Sequence, residues 1–236
     1  MGMINTKFCE TVHVGNHSFE IIGDSIDGST DKVNQDSFGF YHDDECLIVA
    51  VADGLGSAPL SQIGSECIVE TVMEVLSDPD PGDIWRHISE KWKSSIEGPL
   101  DQYDTTCKFI CIRNGKATVG SIGDGWIGML HTNGYQELEN SNVFTNRTES
   151  ICSPKLMDRT YTGECDLDDI ISFGISTDGF SEDFDRESRF EFLRDVCDDM
   201  SGDLRATRDA IRTALKNWPV KSNKDDKTLI LVRKVE

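Results

Sequence analysis

Short apolar stretches rich in β-branched residues recur along the chain and dominate its pattern. They predict β-strands, because such side chains fit a pleated surface and because Gly, Asn and Asp turn residues bound each stretch. The predicted strands cover residues 18–22, 37–41, 47–52, 105–112, 117–122, 126–131, 135–138, 170–176 and 228–232. We therefore expect β-structure to be the main component of the fold.

Apolar positions at three- and four-residue spacing predict four helices. They cover residues 61–76, 84–96, 187–200 and 203–218. This order of strands, two helices, more strands, two helices and a closing strand favours a layered α+β fold over alternating βαβ units. Residues 140–166 show no periodicity and are predicted to form a long loop with little regular structure. No linker-like segment divides the chain, so we expect a single domain over residues 1–236.

The charge balance excludes one class of partner. The chain has 43 Asp and Glu against 23 Lys and Arg, a formal net charge of −20. Nucleic-acid binding depends on clustered Lys and Arg that neutralise phosphates, so no nucleic-acid partner is expected. With 37% hydrophobic residues the chain still has enough apolar material for a core.

Membrane and export signals are also lacking in the sequence. The longest uninterrupted apolar run, residues 46–52, has seven residues, whereas a membrane helix needs about 20. The first 20 residues contain no apolar run of the kind that a secretory leader requires. The eight cysteines form no Cys-x-x-Cys pair, so reduced thiols are expected. These features predict a cytoplasmic protein with no membrane partner.

Three of the predicted strands end in the dipeptide Asp-Gly, at Asp53, Asp124 and Asp178. Hairpin turns of type I′ prefer this dipeptide, which is the ordinary structural explanation. It does not account for Asp53 and Asp178, because helix-like segments follow them rather than a second strand. If the apolar runs are neighbouring strands, the three carboxylates converge at one rim, where like charges are tolerated only beside bound cations.

An all-oxygen cluster of this kind has a defined chemistry. Carboxylates suit Mg²⁺ or Mn²⁺, whereas zinc prefers nitrogen and sulfur ligands. Two such ions can activate a water molecule and hold a phosphoryl group for attack. The residues themselves therefore point to metal-assisted hydrolysis of a phosphoester.

Five short motifs also occur in an order and spacing that is typical of one protein family. They are Asn34-Gln35-Asp36-Ser37, VADGLGS at 51–57, Gly123-Asp124-Gly125, STDGFSE at 176–182 and DDKT at 225–228, with Thr105-Thr106 at a strand start. Through them the chain resembles the metal-dependent protein phosphatases of the type 2C family, most of all their bacterial stand-alone members. The resemblance implies a four-layer αββα sandwich of two antiparallel sheets flanked by helices, within the α+β class. It places the metal site at one end.

The resemblance assigns ligands for two or three Mn²⁺ or Mg²⁺ ions. Asp53 bridges two ions, and the carbonyl of Gly54 binds the second of them. Asp178 and Asp225 hold the first ion. The implied nucleophile is not a side chain but the metal-bridging water held by Asp53.

Two further ligands follow from the same resemblance. Asp124 is implied to hold, with Asp178, a third and more weakly bound ion. Asp36 is implied to reach an ion directly or through water.

The chain departs from the family pattern at four positions that bear on its chemistry. Gln35 is a neutral amide where the family often has Glu, which is expected to weaken binding of the second ion. The Arg that often contacts substrate phosphate is replaced by Asp31, so Lys32 is the nearest cation and the expected substrate-binding residue. Leu55 replaces a His proposed as general acid, and Asp226 replaces an Asn with an expected effect on local bonding. None of these changes removes a core Asp.

The expected function is hydrolysis of phosphoserine and phosphothreonine in proteins, with a phosphorylated protein as substrate and a serine/threonine kinase acting on the same target. Two alternatives stay open. A catalytically weak relative could serve as a regulatory or phosphopeptide-binding module, which positions 31, 35 and 55 motivate. A small phosphorylated metabolite or nucleotide could instead be the substrate.

Overall fold

Two antiparallel sheets of six strands each form the centre of the protein. The structure is a computed structural model that describes residues 2–28, 33–138 and 148–235. In spatial order, the first sheet consists of β1 (Gly2–Ile4), β4 (Asp36–His42), β5 (Cys46–Asp53), β6 (Cys107–Arg113), β7 (Lys116–Ile122) and β10 (Tyr161–Asp166). The second consists of β2 (Phe8–Val14), β3 (His17–Ile26), β12 (Lys227–Val235), β11 (Ile170–Ser176), β8 (Trp126–His131) and β9 (Gly134–Glu137).

Helices cover the outer face of both sheets. The helices are α1 (Ser61–Ser77), α2 (Ile84–Ser95), the short α3 (Asp178–Ser181), α4 (Arg186–Gly202) and α5 (Leu204–Lys216). Helices α1 and α2 share a buried apolar cluster with the first sheet, and α4 and α5 share another with the second. A third cluster fills the space between the sheets. The predicted four-layer αββα sandwich of the α+β class is therefore confirmed.

Strand β5 shows why a continuous apolar run is needed at the centre of the sandwich. Its side chains alternate between Leu47, Val49 and Val51, which enter the core between the sheets, and Ile48 and Ala50, which pack under the helices. Both faces of the strand are buried, so no polar position interrupts the run. The apolar run stops before Asp53, which is the last residue of the strand.

The four predicted helices and all nine predicted strands are present, with ends that differ by a few residues. The prediction of a loop over 140–166 is wrong for Tyr161–Asp166, which form β10. This strand pairs only at the sheet edge with β7 and is half exposed, so its sequence carries no hydrophobic alternation. Residues 139–147, which include the first part of that predicted loop, lie outside the described residues.

Two N-terminal strands were not predicted. In β2, Phe8, Val12 and Val14 are buried. The exposed Glu10 occupies the position between Phe8 and Val12 at which a further buried residue would continue the alternation, so the period-two pattern is interrupted. Strand β1 has only three residues. A short or interrupted pattern gives too little signal for a period-two assignment.

Aspartates cap three of the helices. The side chains of Asp83, Asp185 and Asp203 accept hydrogen bonds from backbone N–H groups in the first turns of α2, α4 and α5. Each such bond satisfies a donor that the helix itself leaves unpaired. Part of the acidic excess therefore stabilises helix ends.

None of the helices described here is both long and apolar enough to span a membrane.

A glycine opposite an aromatic ring tests the packing of the first sheet. Gly120 of β7 pairs with Phe109 of β6, and a Cβ on Gly120 would lie 2.1 Å from the Phe109 ring. We expect Gly120→Ala to lower the free energy of unfolding in urea by about 1–3 kcal/mol, because Phe109 is buried and cannot move away. Gly202→Ala is the matched control, because a Cβ added to Gly202 would have no atom within 4 Å apart from its chain neighbours and its own helix backbone. Equal stability of the two variants would contradict this packing.

Candidate metal centre

Three aspartates from both sheets meet at one edge of the sandwich. Asp53 ends β5 of the first sheet, Asp178 follows β11 of the second sheet, and Asp124 lies in the turn that leads from β7 to β8. One carboxylate oxygen of each lies within 4.8 Å of the others. We call Asp53, Asp124 and Asp178 the carboxylate cluster. The convergence that the three Asp-Gly dipeptides predicted is present.

Two glycines shape the turn that carries Asp124. Gly123 has a φ of +87° and Gly125 a φ of +100°, a region that favours glycine. A Cβ on Gly123 would lie 2.5 Å from the Thr106 side chain, and one on Gly125 would lie 2.6 Å from the Ser176 carbonyl oxygen. The chain passes from one sheet to the other through a space that admits only glycine on each side of Asp124.

A pair of threonines fixes the backbone of Asp53. The Asp53 N–H donates to the Thr106 hydroxyl at 2.9 Å, and the Asp53 carbonyl accepts from the Thr106 N–H and from the Thr105 hydroxyl, both at 2.8 Å. Three hydrogen bonds to Thr105 and Thr106 thus hold the backbone of Asp53. This accounts for the Thr105-Thr106 dipeptide at the strand start.

Asp36 is a buried neighbour of the cluster. It stands opposite Asp53 in the pairing of β4 and β5 and is only 7% exposed. Its Oδ2 accepts a hydrogen bond from the Thr177 hydroxyl at 2.8 Å. The pKa of Asp36 is raised to about 7, mainly by burial and in smaller part by the negative charges of Asp226 and Asp178.

The cluster carries more negative charge than its surroundings favour. The pKa of Asp178 is raised to about 6, first by burial and then by the negative charges of Asp124, Glu182 and Asp225. The pKa of Asp53 lies well above its ordinary value, first because of burial and then because of the nearby carboxylates. Without a cation these groups tend to hold protons, so the site has the electrostatics of a cation site.

Asp124 gives an independent sign that the site fits a cation. Its Oδ2 accepts a hydrogen bond from the Thr148 hydroxyl at 2.7 Å. Its Oδ1 is buried, and no described residue hydrogen-bonds to it. A buried carboxylate oxygen without a partner is costly, and a bound Mg²⁺ or Mn²⁺ would supply the missing contact.

The other predicted ligands lie around the cluster. Asp225 is exposed and contributes to the raised pKa of Asp178, but its carboxylate is not part of the three-carboxylate group. Gly54 is buried where β5 reaches helix α1, and a Cβ there would lie 2.7 Å from Ser61. Its N–H donates to the Gln35 carbonyl at 3.1 Å.

The positions that depart from the family pattern have defined contacts where they are described. The Gln35 side-chain amide donates to the Ser61 hydroxyl. Asp226 uses both carboxylate oxygens locally, accepting from the N–H groups of Gly28 at 2.9 Å and of Gln35 at 2.7 Å. Leu55 is half-buried, whereas Asp31 and Lys32 lie outside the described residues.

Three residues of the site were missed by sequence analysis. Thr177 and Thr148 hold Asp36 and Asp124 through their hydroxyls, and a hydroxyl next to a motif carries little specific signal. Lys108 lies buried in β6 and donates to the Gly123 carbonyl at 2.9 Å. Sequence analysis could have singled out Lys108, because it is the one charged residue inside the predicted strand at 105–112.

Charge repulsion in the cluster leads to a prediction on stability. Because the folded-state pKa of Asp178 is raised to about 6, folding stability falls as pH rises from the ordinary Asp pKa towards that value. Asp178→Asn removes the charge and should stabilise the metal-free protein at pH 7.5 by on the order of 1 kcal/mol, about 2–4 °C in Tm. The gain should vanish below about pH 4, where the carboxyl is protonated in both states.

Thermal unfolding in EDTA at both pH values measures this effect. Asp80→Asn is the control, because Asp80 is an exposed aspartate outside the cluster. A metal-free Asp178→Asn protein that is less stable than the wild type at pH 7.5 would show that the cluster is not repulsive.

Comparisons with known proteins agree with the fold. The chain is similar in fold to the serine/threonine phosphatase Stp1 from Staphylococcus aureus, with a TM-score of 0.67 and 12% identity over 95% of this chain and 98% of that one. The catalytic domain of the serine/threonine protein phosphatase PstP, solved with two manganese ions, gives 0.66 and 15% over 92% and 99%. The serine-threonine phosphatase 2C from Toxoplasma gondii gives 0.64 and 13% over 100% and 99%.

At these identities the solved structures establish the fold, and the family follows from sequence. No curated protein matches the chain. Residues 27–218, most of the chain, match the sequence model of the family described as Protein phosphatase 2C. This match, on a chain with the sandwich fold and a carboxylate cluster at the sheet edge, shows that the protein belongs to the protein phosphatase 2C family.

Proposed function

We propose that this protein removes phosphate from phosphoserine and phosphothreonine in proteins, using Mn²⁺ or Mg²⁺ bound at the carboxylate cluster. Family membership supports the reaction, and the convergence of Asp53, Asp124 and Asp178 is the observation that carries it to particular residues. The protein is accordingly a metal-dependent serine/threonine protein phosphatase whose substrates are phosphoproteins. No feature of the described residues favours the alternative of a pure binding module.

The proposed metal ligands are the residues that the sequence motifs suggested. Asp53, Asp178 and Asp225 would hold the two principal ions, together with the Gly54 carbonyl. Asp124 would contact the more weakly bound ion, which its unpartnered Oδ1 supports. Ions held by these residues would lower the pKa of a bound water molecule and offset the charge of the phosphoryl group.

The chain's own residues orient and restrain these ligands. Thr105 and Thr106 hold the Asp53 backbone, and Thr148 holds one oxygen of Asp124. Asp36 accepts from Thr177 beside Asp53, and in the metal-free protein its carboxyl retains a proton up to about pH 7. Cations at the neighbouring carboxylates would favour release of that proton. This role supports the proposal that Asp36 assists ion binding directly or through water.

The finer features of the substrate and its setting are also proposals. Lys32 is proposed to contact the substrate phosphate as a point charge, on the sequence alone. The phosphoprotein is proposed to be the target of a serine/threonine kinase. The charge of −20 supports the absence of a nucleic-acid partner, and the eight free cysteines support a cytoplasmic location. A single domain over residues 1–236 is supported by the shared core between the sheets, which draws on residues from Phe8 to Val232.

The first test is metal-dependent turnover. We expect hydrolysis of para-nitrophenyl phosphate and of a phosphothreonine peptide with millimolar Mn²⁺ and none in EDTA. Asp53→Asn and Asp178→Asn should each reduce kcat/KM by about 1,000-fold or more, because each removes a charged ligand from the reacting centre. Asp80→Asn should behave as the wild type. Residual activity of either cluster variant within a few-fold of the wild type would refute the assigned site, provided that circular dichroism shows both variants folded.

A gain of metal affinity tests position 35. The Gln35 side chain contacts Ser61, and its backbone contacts Asp226 and the Gly54 N–H. Gln35→Glu therefore adds a charge next to a proposed ligand. We expect the Mn²⁺ concentration for half-maximal activity to fall several-fold. Gln136→Glu adds the same charge at an exposed position of β9 and should change nothing. An unchanged Mn²⁺ requirement in Gln35→Glu would show that position 35 does not contact an ion.

A further inference from the structure

A buried lysine lies directly behind the proposed metal centre. Lys108 occupies the second position of β6 and is only 2% exposed. Its backbone pairs with Val51 of β5 and Ser121 of β7. Burying an ammonium group costs several kcal/mol unless opposite charge or hydrogen bonds compensate. Among the described residues Lys108 donates one hydrogen bond, to the Gly123 carbonyl at 2.9 Å, and makes no ion pair.

The side chain of Lys108 runs beneath the turn that carries Asp124. It bonds to the residue before Asp124, and its Cε lies 3.0 Å from the place where a Cβ on Gly125 would stand. The ammonium group is therefore buried against the turn whose middle residue is Asp124. One hydrogen bond to a neutral carbonyl is a small compensation for a buried charge.

The carboxylate cluster supplies the remaining compensation. The pKa of Lys108 is lowered to about 8, because the effect of burial exceeds the opposing effect of the negative charges of Asp124, Asp178 and Asp53, each of which raises it. These three residues are the whole of the cluster. At pH 7 the cluster thus has a protein cation within its field, in addition to any ion that it binds.

We propose that Lys108 is a resident cation of the metal centre, which offsets part of the cluster's negative charge in the metal-free protein and opposes binding of the divalent ion at Asp124. This inference rests on the proposed role of the cluster as a metal site. It assigns a physical cause to weak binding of that ion: two cations compete for the charge of the same carboxylates. Lys108 then sets the Mn²⁺ concentration at which the centre is fully loaded.

The sign of the effect separates this role from a structural one. If Lys108 only supports the turn, its removal displaces Asp124 and weakens Mn²⁺ binding. If its charge opposes the ion, its removal tightens Mn²⁺ binding without loss of metal-free stability, because the lowered pKa of Lys108 means that the folded state disfavours the buried ammonium. Removal of a residue that only supports the turn gives weaker binding together with lower stability.

The test is calorimetric titration of Mn²⁺ into EDTA-treated and dialysed full-length protein at pH 7, combined with thermal unfolding in EDTA. Lys108→Met removes the charge at similar length, and Lys108→Gln removes it while keeping a donor for the Gly123 carbonyl. Lys116→Met is the matched control, because Lys116 is an exposed cation at the start of β7 in the same sheet. Should Lys108→Met fail to fold, Lys108→Gln provides the measurement.

We expect the Kd of the weakest Mn²⁺ ion to fall about tenfold in the Lys108 variants, with no loss of metal-free Tm, and no change in Lys116→Met. In an Asp124→Asn background the Lys108 substitution should change Mn²⁺ affinity less than it does in the wild-type background. If the wild type binds Mn²⁺ and the Lys108 variants bind it equally well or more weakly, this inference is overturned, whereas the proposed metal centre is not. Absence of any Mn²⁺ binding by the wild type overturns the proposed metal centre and this inference together.

Discussion

Repulsion between carboxylates is the constraint on which the functional part of this structure depends. Asp53, Asp124 and Asp178 bring one oxygen each within 4.8 Å of the others, and the pKa of Asp178 rises to about 6 in consequence of burial and of its neighbours. Such an arrangement lowers stability unless a cation is present. The fold therefore has to hold these groups together against their own charge, and it does so through contacts to backbone groups and to one oxygen of Asp124, which leave the other Asp124 oxygen available.

The sandwich architecture supplies that restraint. Each carboxylate comes from a different structural context: a strand end in the first sheet, a strand end in the second sheet, and the turn that joins the two sheets. The restraining groups are the hydroxyls of Thr105, Thr106 and Thr148 and the close packing around Gly123 and Gly125. Because the sheets share one packed core, movement of a single ligand would require displacement of buried side chains. A weakly folded loop could not maintain the same geometry.

Sequence analysis predicted the parts of the fold where both faces of an element are buried or where one face is strongly apolar. Strand β5 and helix α1 are examples, because continuous or periodic apolar residues are required there. The edge strand β10 was missed because an exposed edge imposes no such requirement. The convergence of Asp53, Asp124 and Asp178 was predictable from the Asp-Gly strand ends, and the family from the motifs. Sequence alone could not place Asp225 outside the group or show that Lys108 bonds to the turn that carries Asp124, since both depend on how the two sheets meet.

Anomalous X-ray diffraction at the manganese edge, from crystals grown with Mn²⁺, is the most direct test of metal binding by the carboxylate cluster. The predicted result is two or three manganese peaks in contact with carboxylate oxygens of Asp53, Asp124 and Asp178, with Asp124 at the peak of lowest occupancy. Manganese peaks elsewhere on this acidic surface, with none at these three residues, would contradict the assignment of the site.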